Sequence, residues 1–153
     1  MALIVISIII LNVTALFMHK RIHWWELYSS AWFALFFELF ANTYIDLKYD
    51  LYGFFDKGPS WQTILMMFGL YPAGNAIILN FYPYRKPWVY KILYIIGIDI
   101  ICTLYEQAAI HFGVMYYHGW KWWYSGLAYL IIVPILVWNR RISRKLAHKA
   151  YMD

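Results

Sequence analysis

Apolar residues run in long blocks along this chain, and polar residues gather at the breaks. Five blocks, at about 2–19, 27–47, 61–82, 88–112 and 120–138, are long enough to cross a bilayer as helices. A crossing takes about 20 apolar residues at about 1.5 Å each. The breaks have their own chemistry. "GFFDKGPS" separates the second block from the third, and the two prolines of "PYRKP" cannot continue a helix between the third and fourth. The fourth and fifth blocks, joined by "GVMYYHG", form a helical hairpin. The opening "MALIVISIIILNVTALFMHKR" has no basic residue ahead of its apolar run and Lys20-Arg21 behind it. That is the form of a first transmembrane helix, not of a cleavable signal. The tail "NRRISRKLAHK" extends the fifth helix. No internal repeat or low-complexity stretch interrupts the pattern.

Composition removes the soluble alternative. The 153 residues are 63% hydrophobic and 14% charged, whereas soluble domains carry about a quarter charged residues. A soluble fold of this size has too little interior for so much apolar surface. The expected fold is therefore an all-α integral membrane protein: residues 1–153 form one five-transmembrane-helix bundle, in which backbone groups are satisfied within each helix. Trp, Tyr and Phe supply 22% of the chain, as interfacial aromatic belts require. Trp24, Trp25, Trp88 and Trp138 mark one boundary, and Trp61, Trp120, Trp122 and Trp123 the other.

The net charge of +5 then sets orientation and does not suggest nucleic acid. One side receives ten basic residues: Lys20, Arg21, Arg85, Lys86, Lys91, Arg140, Arg141, Arg144, Lys145 and Lys149. The other receives Lys48, Lys57 and Lys121. By the positive-inside rule the N-terminus is external and the C-terminus cytoplasmic. The basic tail, residues 139–153, is placed to touch anionic lipid.

Polar residues inside the blocks carry the candidate chemistry. In "ELFANTYID", Glu38, Asn42 and Asp46 fall four apart, on one side of a helix. Glu38 comes near the midplane, and Asp99 of the fourth block at about the same depth. Glu106, seven residues beyond Asp99, shares its face near the outer boundary, with Thr103 between them. Asn75 of the third block falls in the inner half, sharing a face with Tyr71, beside Pro72. An ionised acid at midplane costs about 2.5–3.5 kcal/mol on insertion scales, so these groups are not expected to face lipid. The acidic stripes of the second and fourth helices are expected to face each other or a wet cavity, with Asn75 nearby. No Lys or Arg falls at the depth of Glu38 and Asp99. Burial and the neighbouring acid both penalise the charged form, and a shared proton or a bound cation relieves it. The plainer alternative is that the stripe only hydrogen-bonds helices together.

Other residues point to less. The single cysteine, Cys102, reads as a small buried hydrophobe. His19 and His23 read as interfacial residues. His111 and His118 lie outside with Glu106, Asp50 and Asp56, but no metal-ligand spacing is present, and no metal is expected. Gly69 and Ala73 give the third helix a close-packing face. There is no H-E-x-x-H, C-x-x-C, G-x-S-x-G or phosphate-cradling loop, so neither a catalytic residue nor a cofactor is assigned.

One stretch carries a resemblance. "FGLYPAGNAIILNFYP", "KILYIIGIDIICTLYEQ" and "YYHGWKWWYS" supply Tyr71-Pro72, Tyr82-Pro83, Tyr105-Glu106, and Gly119-Trp120 with Trp123 and Ser125. Over roughly residues 65–126 the chain resembles a family of uncharacterised small multi-pass membrane proteins of spore-forming Gram-positive bacteria. The resemblance implies a plasma-membrane protein and gives weight to Glu106, whose counterpart recurs in that pattern. It implies no activity.

Three functions remain open at this point. The first is proton- or cation-linked transport through Glu38, Asp99, Glu106, Asp46, Asn42 and Asn75. Five short helices enclose little space, so this reading brings in a homo-oligomer or a membrane partner protein. The second is a non-catalytic accessory or assembly subunit whose polar stripe is docking glue. The third is a membrane enzyme with an outer-face site around Asp46, Glu106 and His111.

Overall fold

The computed structural model describes residues 1–55 and 60–150. Each apolar block is helical. The helices are α1 (Ala2–Phe17), α2 (Trp24–Ala41), α3 (Trp61–Phe81), α4 (Trp88–His111) and α5 (Trp122–Ala150). Three of them are long and apolar enough to cross a membrane: α3, α4 and the 122–147 part of α5; α1 is apolar but shorter.

Local chemistry sets the helix ends. Ser60 caps α3, its hydroxyl accepting from the Thr63 N–H at 3.2 Å. The His23 imidazole takes the same place for α2 and faces the Trp25 N–H at 3.5 Å. α4 starts directly after Pro87, whose missing N–H costs nothing at a helix start. It ends where Gly113 turns left-handed at φ 66, a conformation only glycine adopts freely.

Two features differ from a purely α-helical expectation. From Asn42 to Lys48 the second block is wound as a π-helix. Beyond it, Tyr52–Phe54 (β1) pairs antiparallel with Met115–Tyr117 (β2), in the register Tyr52↔Tyr117, Gly53↔Tyr116 and Phe54↔Met115. These three-residue strands lie within the segments read as loops. The sheet joins the α2–α3 connection to the α4–α5 connection, with Leu51 O accepting further bonds from the N–H groups of His118 and Trp120.

The sheet defines one end of the molecule, the hairpin end. At the other, basic end, Asn80 of α3 holds the α1–α2 connection, accepting from Arg21 N at 2.7 Å and donating to His19 O at 3.0 Å. α3 packs against α1 and α2, and α5 packs against α2 and α4. An apolar core lies at each end. Ile4, Tyr52, Phe54, Met66, Ala109, Val114 and Met115 fill the hairpin end. Ile22, Leu79, Tyr82, Leu136 and Val137 fill the basic end.

Gly69 does bring two helices close. A Cβ there would meet Ile8 Cδ1 of α1 at 2.8 Å, and the Asn12 amide of α1 donates to Gly69 O at 2.7 Å. Gly69→Leu should push α1 off this seat and break the Asn12 bond, costing about 1–3 kcal/mol through overpacking. Thermal unfolding in mild detergent reads the loss, and an unchanged midpoint would mean that α1 is not held there.

Candidate functional site

Glu106 faces α5 from the last two turns of α4 and is buried. Three hydroxyls donate to it. Tyr117 from β2 and Ser125 from α5 both reach Oε1, and Tyr129, one turn beyond Ser125, reaches Oε2 at 2.8 Å. Ser125 in turn accepts from Trp120 Nε1 at 2.8 Å, and Gln107 Nε2 donates to the Tyr117 hydroxyl at 3.3 Å. A carboxylate has about four lone-pair sites, so neutral donors occupy most of the acceptor capacity of Glu106.

Glu38 lies beside this network. It accepts a hydrogen bond from Tyr71 of α3, and its neighbouring charge is Glu106. Tyr71 also feels Tyr129 and Tyr52. The site thus gathers two acids and the phenols of Tyr52, Tyr71, Tyr117 and Tyr129 near the hairpin end. Tyr52 closes it from β1, its ring edge-on to Trp120 at 5.6 Å. Burial pushes the Tyr117 phenol above its ordinary pKa, and its bond to Glu106 adds to the shift. Burial, then the charges of Glu38, Asp46 and Glu106, push Tyr52 upward as well. Both phenols therefore stay protonated at neutral pH and keep their donor hydrogens.

The remaining sequence candidates distribute as follows. Asn42 is buried one turn beyond Glu38, its Nδ2 on Met67 Sδ at 3.8 Å. Asp46 lies on the π-helical segment, within electrostatic reach of Tyr52. Asn75 is buried on α3, and both of its amide atoms lack a partner among the described residues. Asp99 sits apart, beside Thr103 and Cys102, with Oδ1 3.7 Å from where a Cβ on Gly126 of α5 would stand. The acid that neighbours Glu38 is thus Glu106, not the Asp99 expected from depth. Asp99 and Glu106 both lie on α4, seven residues or about 10 Å apart along its axis, so the difference lies in how far α4 is set along the bundle, and its Glu106 end is the one that reaches Glu38.

The outer-face enzyme constellation is not assembled. His111 is exposed at the end of α4 while Glu106 is buried, and five residues put them on different faces. His118 pairs with Asp50 at 3.6 Å, with both side chains solvated. Asp56 and Lys57 lie outside the described residues. Among the described residues, no group of three His, Cys, Asp or Glu side chains could hold a metal ion.

Sequence reasoning missed one charged pair. Glu26, in the first turn of α2, accepts from Arg140 Nε of α5 at 2.5 Å, with both side chains buried. The Arg140 guanidinium also lies 3.9 Å over the Tyr84 ring. A signal was present. Counting back in fours from Glu38 along α2 gives Ala34, Ser30 and Glu26, so the polar stripe runs most of the helix. Comparison with protein-family models, with curated proteins and with solved structures finds no match to this chain.

Proposed function

We propose that this chain is a multi-pass plasma-membrane protein with five crossings, and that the Glu38–Glu106 pair is its proton- or cation-linked transport site. One observation carries the reading. The two acids lie within mutual electrostatic reach inside the bundle, hydroxyls are their hydrogen-bond donors, and among the described residues neither forms an ion pair with Lys or Arg. Two like charges in a low-dielectric interior repel, and one proton or one cation held between them cancels that repulsion. Acids placed inside a membrane bundle are functional groups by default.

The sorting of connections supports five crossings. The α1–α2 and α3–α4 connections meet at the basic end, where Arg21 lies over the Phe81 ring, and the α2–α3 and α4–α5 connections meet in the sheet. With the basic residues on one side, the positive-inside rule favours an external N-terminus and a cytoplasmic C-terminus. A reporter fused after Asp153 should read cytoplasmic and a tag at Met1 external. Both termini on one side would mean an even number of crossings. Arg141, Arg144, Lys145 and Lys149 are exposed on the continuation of α5, where anionic headgroups attract them. The apolar length of α4 is open along its surface, which suits lipid, a second copy or a membrane partner. Tyr71, Glu106, Trp120 and Ser125, which help carry the family resemblance, all belong to the site.

Infrared difference spectroscopy tests the reading. Adding Na⁺ or K⁺, or stepping the pH, should change carboxyl bands in the wild type, and the change should vanish in Glu38→Gln and in Glu106→Gln. Bands that respond to nothing would leave the stripe as helix glue, and the accessory-subunit reading would take its place.

A further inference from the structure

Along the α2–α3 seam, buried polar atoms lack a partner among the described residues. Asn42 meets Met67 and Glu38 meets Tyr71, so a step of four along α2 matches a step of four back along α3. The same register sets Asn75 level with Ala34, and Leu79 level with Ser30. Asn42 Oδ1, both amide atoms of Asn75, and Ser30 Oγ are buried without a partner among the described residues. Ser30 is fully buried, and Asn75 is 4% exposed. At the basic end the seam reaches the buried Glu26–Arg140 pair. Buried polar groups in folded proteins are hydrogen-bonded, and where protein supplies no partner, ordered water does.

The winding of α2 bears on the outer end of the stripe. Four residues of α-helix overshoot a full turn by about 40°, so a stripe repeating every four drifts round the helix. The π-helix at Asn42–Lys48 has a wider turn, closing its bonds at i→i+5. Four residues there fall short of a turn, and Asp46 swings back toward the stripe.

We propose that the α2–α3 seam holds ordered water beside Asn42 and, from Glu38 to the Glu26–Arg140 pair, a file of it that forms the inward half of a proton path. The file passes Asn75 and Ser30, with the Ala34 methyl leaving room beside Asn75 and Leu79 narrowing the passage. The path rests on Glu38 being the ion-linked site; the water does not.

X-ray hydroxyl-radical footprinting of the detergent-solubilised protein reads trapped water directly. Met67 should be labelled despite its burial, together with the half-buried Tyr71, while Met66, buried in the apolar core of the hairpin end, should not. Asn75→Leu, and the milder Ser30→Ala, should lower labelling of Tyr71 and Met67 at least threefold and leave Met66 protected, which shows that the fold is intact. In proteoliposomes Asn75→Leu should slow proton flux about tenfold while the ion-dependent carboxyl bands remain. Tyr71 and Met67 as unlabelled as Met66 in the wild type would overturn the proposal and leave the Glu38–Glu106 reading standing. Labelling as expected, with carboxyl bands that respond to no ion, would keep the water and remove its role in a proton path.

Discussion

Replacing Glu26 with alanine lowers the stability of the fold by about 3–5 kcal/mol, the usual cost of removing one partner from a buried ion pair. Arg140 and Glu26 have side chains only 6% and 8% exposed and meet at 2.5 Å. Alanine leaves the guanidinium enclosed, with the Tyr84 ring at 3.9 Å as its remaining partner. The reverse change, Arg140→Ala, costs less. Arg144 already stands 3.8 Å from the Glu26 carboxylate, and its exposed side chain is free to move in. The double variant Glu26→Leu/Arg140→Met recovers most of the loss, because a buried pair and a well-packed apolar replacement are often close in energy. Denaturant unfolding of the three variants in mild detergent measures this ordering. A Glu26→Ala protein within about 0.5 kcal/mol of wild type would show that the pair is solvated.

Apolar block length located all five helices, and the ends of α3 and α4 to within a residue, because hydropathy acts over about twenty residues and small errors average out, whereas α5 runs on through the basic tail to Ala150. The three-residue strands at Tyr52–Phe54 and Met115–Tyr117 left no such trace. A pairing between two distant loops depends on both ends meeting, and neither loop carries that information alone. The π-helix was hidden for a related reason, since Asn42–Lys48 reads as ordinary helix by composition. In the site, spacing identified the inward stripe of α2, but depth alone chose Asp99 as the partner of Glu38. Depth counted from the block ends assumes that α2 and α4 start level, and Asp99 and Glu106, on the same helix, differ by only about two turns. Glu106 was a candidate, yet its donors were not. Tyr117, Ser125 and Tyr129 look like interfacial residues in a chain rich in aromatics, and only the contact between α4 and α5 makes them ligands of one carboxylate. By its place in the sequence Arg140 belongs to the basic tail, whose Arg141 and Arg144 are exposed, yet Arg140 itself is buried.

Glu106→Ala removes the shared acceptor of three hydroxyls at once. Each buried donor left unmatched costs about 1–3 kcal/mol before relaxation, so this variant should weaken the fold and, under the proposed transport role, abolish ion dependence. Glu106→Gln keeps the shape and one acceptor oxygen, but its amide nitrogen brings hydrogens against a hydroxyl that was donating. It loses the charge with a smaller stability penalty, which makes it the cleaner probe. Glu38→Gln has one bond to disturb, that from Tyr71, and should fold nearly as well as wild type.

The most direct test is ion flux through the purified protein in proteoliposomes carrying a pH or alkali-cation gradient. Wild type should dissipate one of these gradients, and Glu38→Gln and Glu106→Gln should each do so at least tenfold more slowly while remaining folded. Wild-type protein that moves neither ion, or Gln variants that match its rate, would contradict the assignment of these two acids as the transport site.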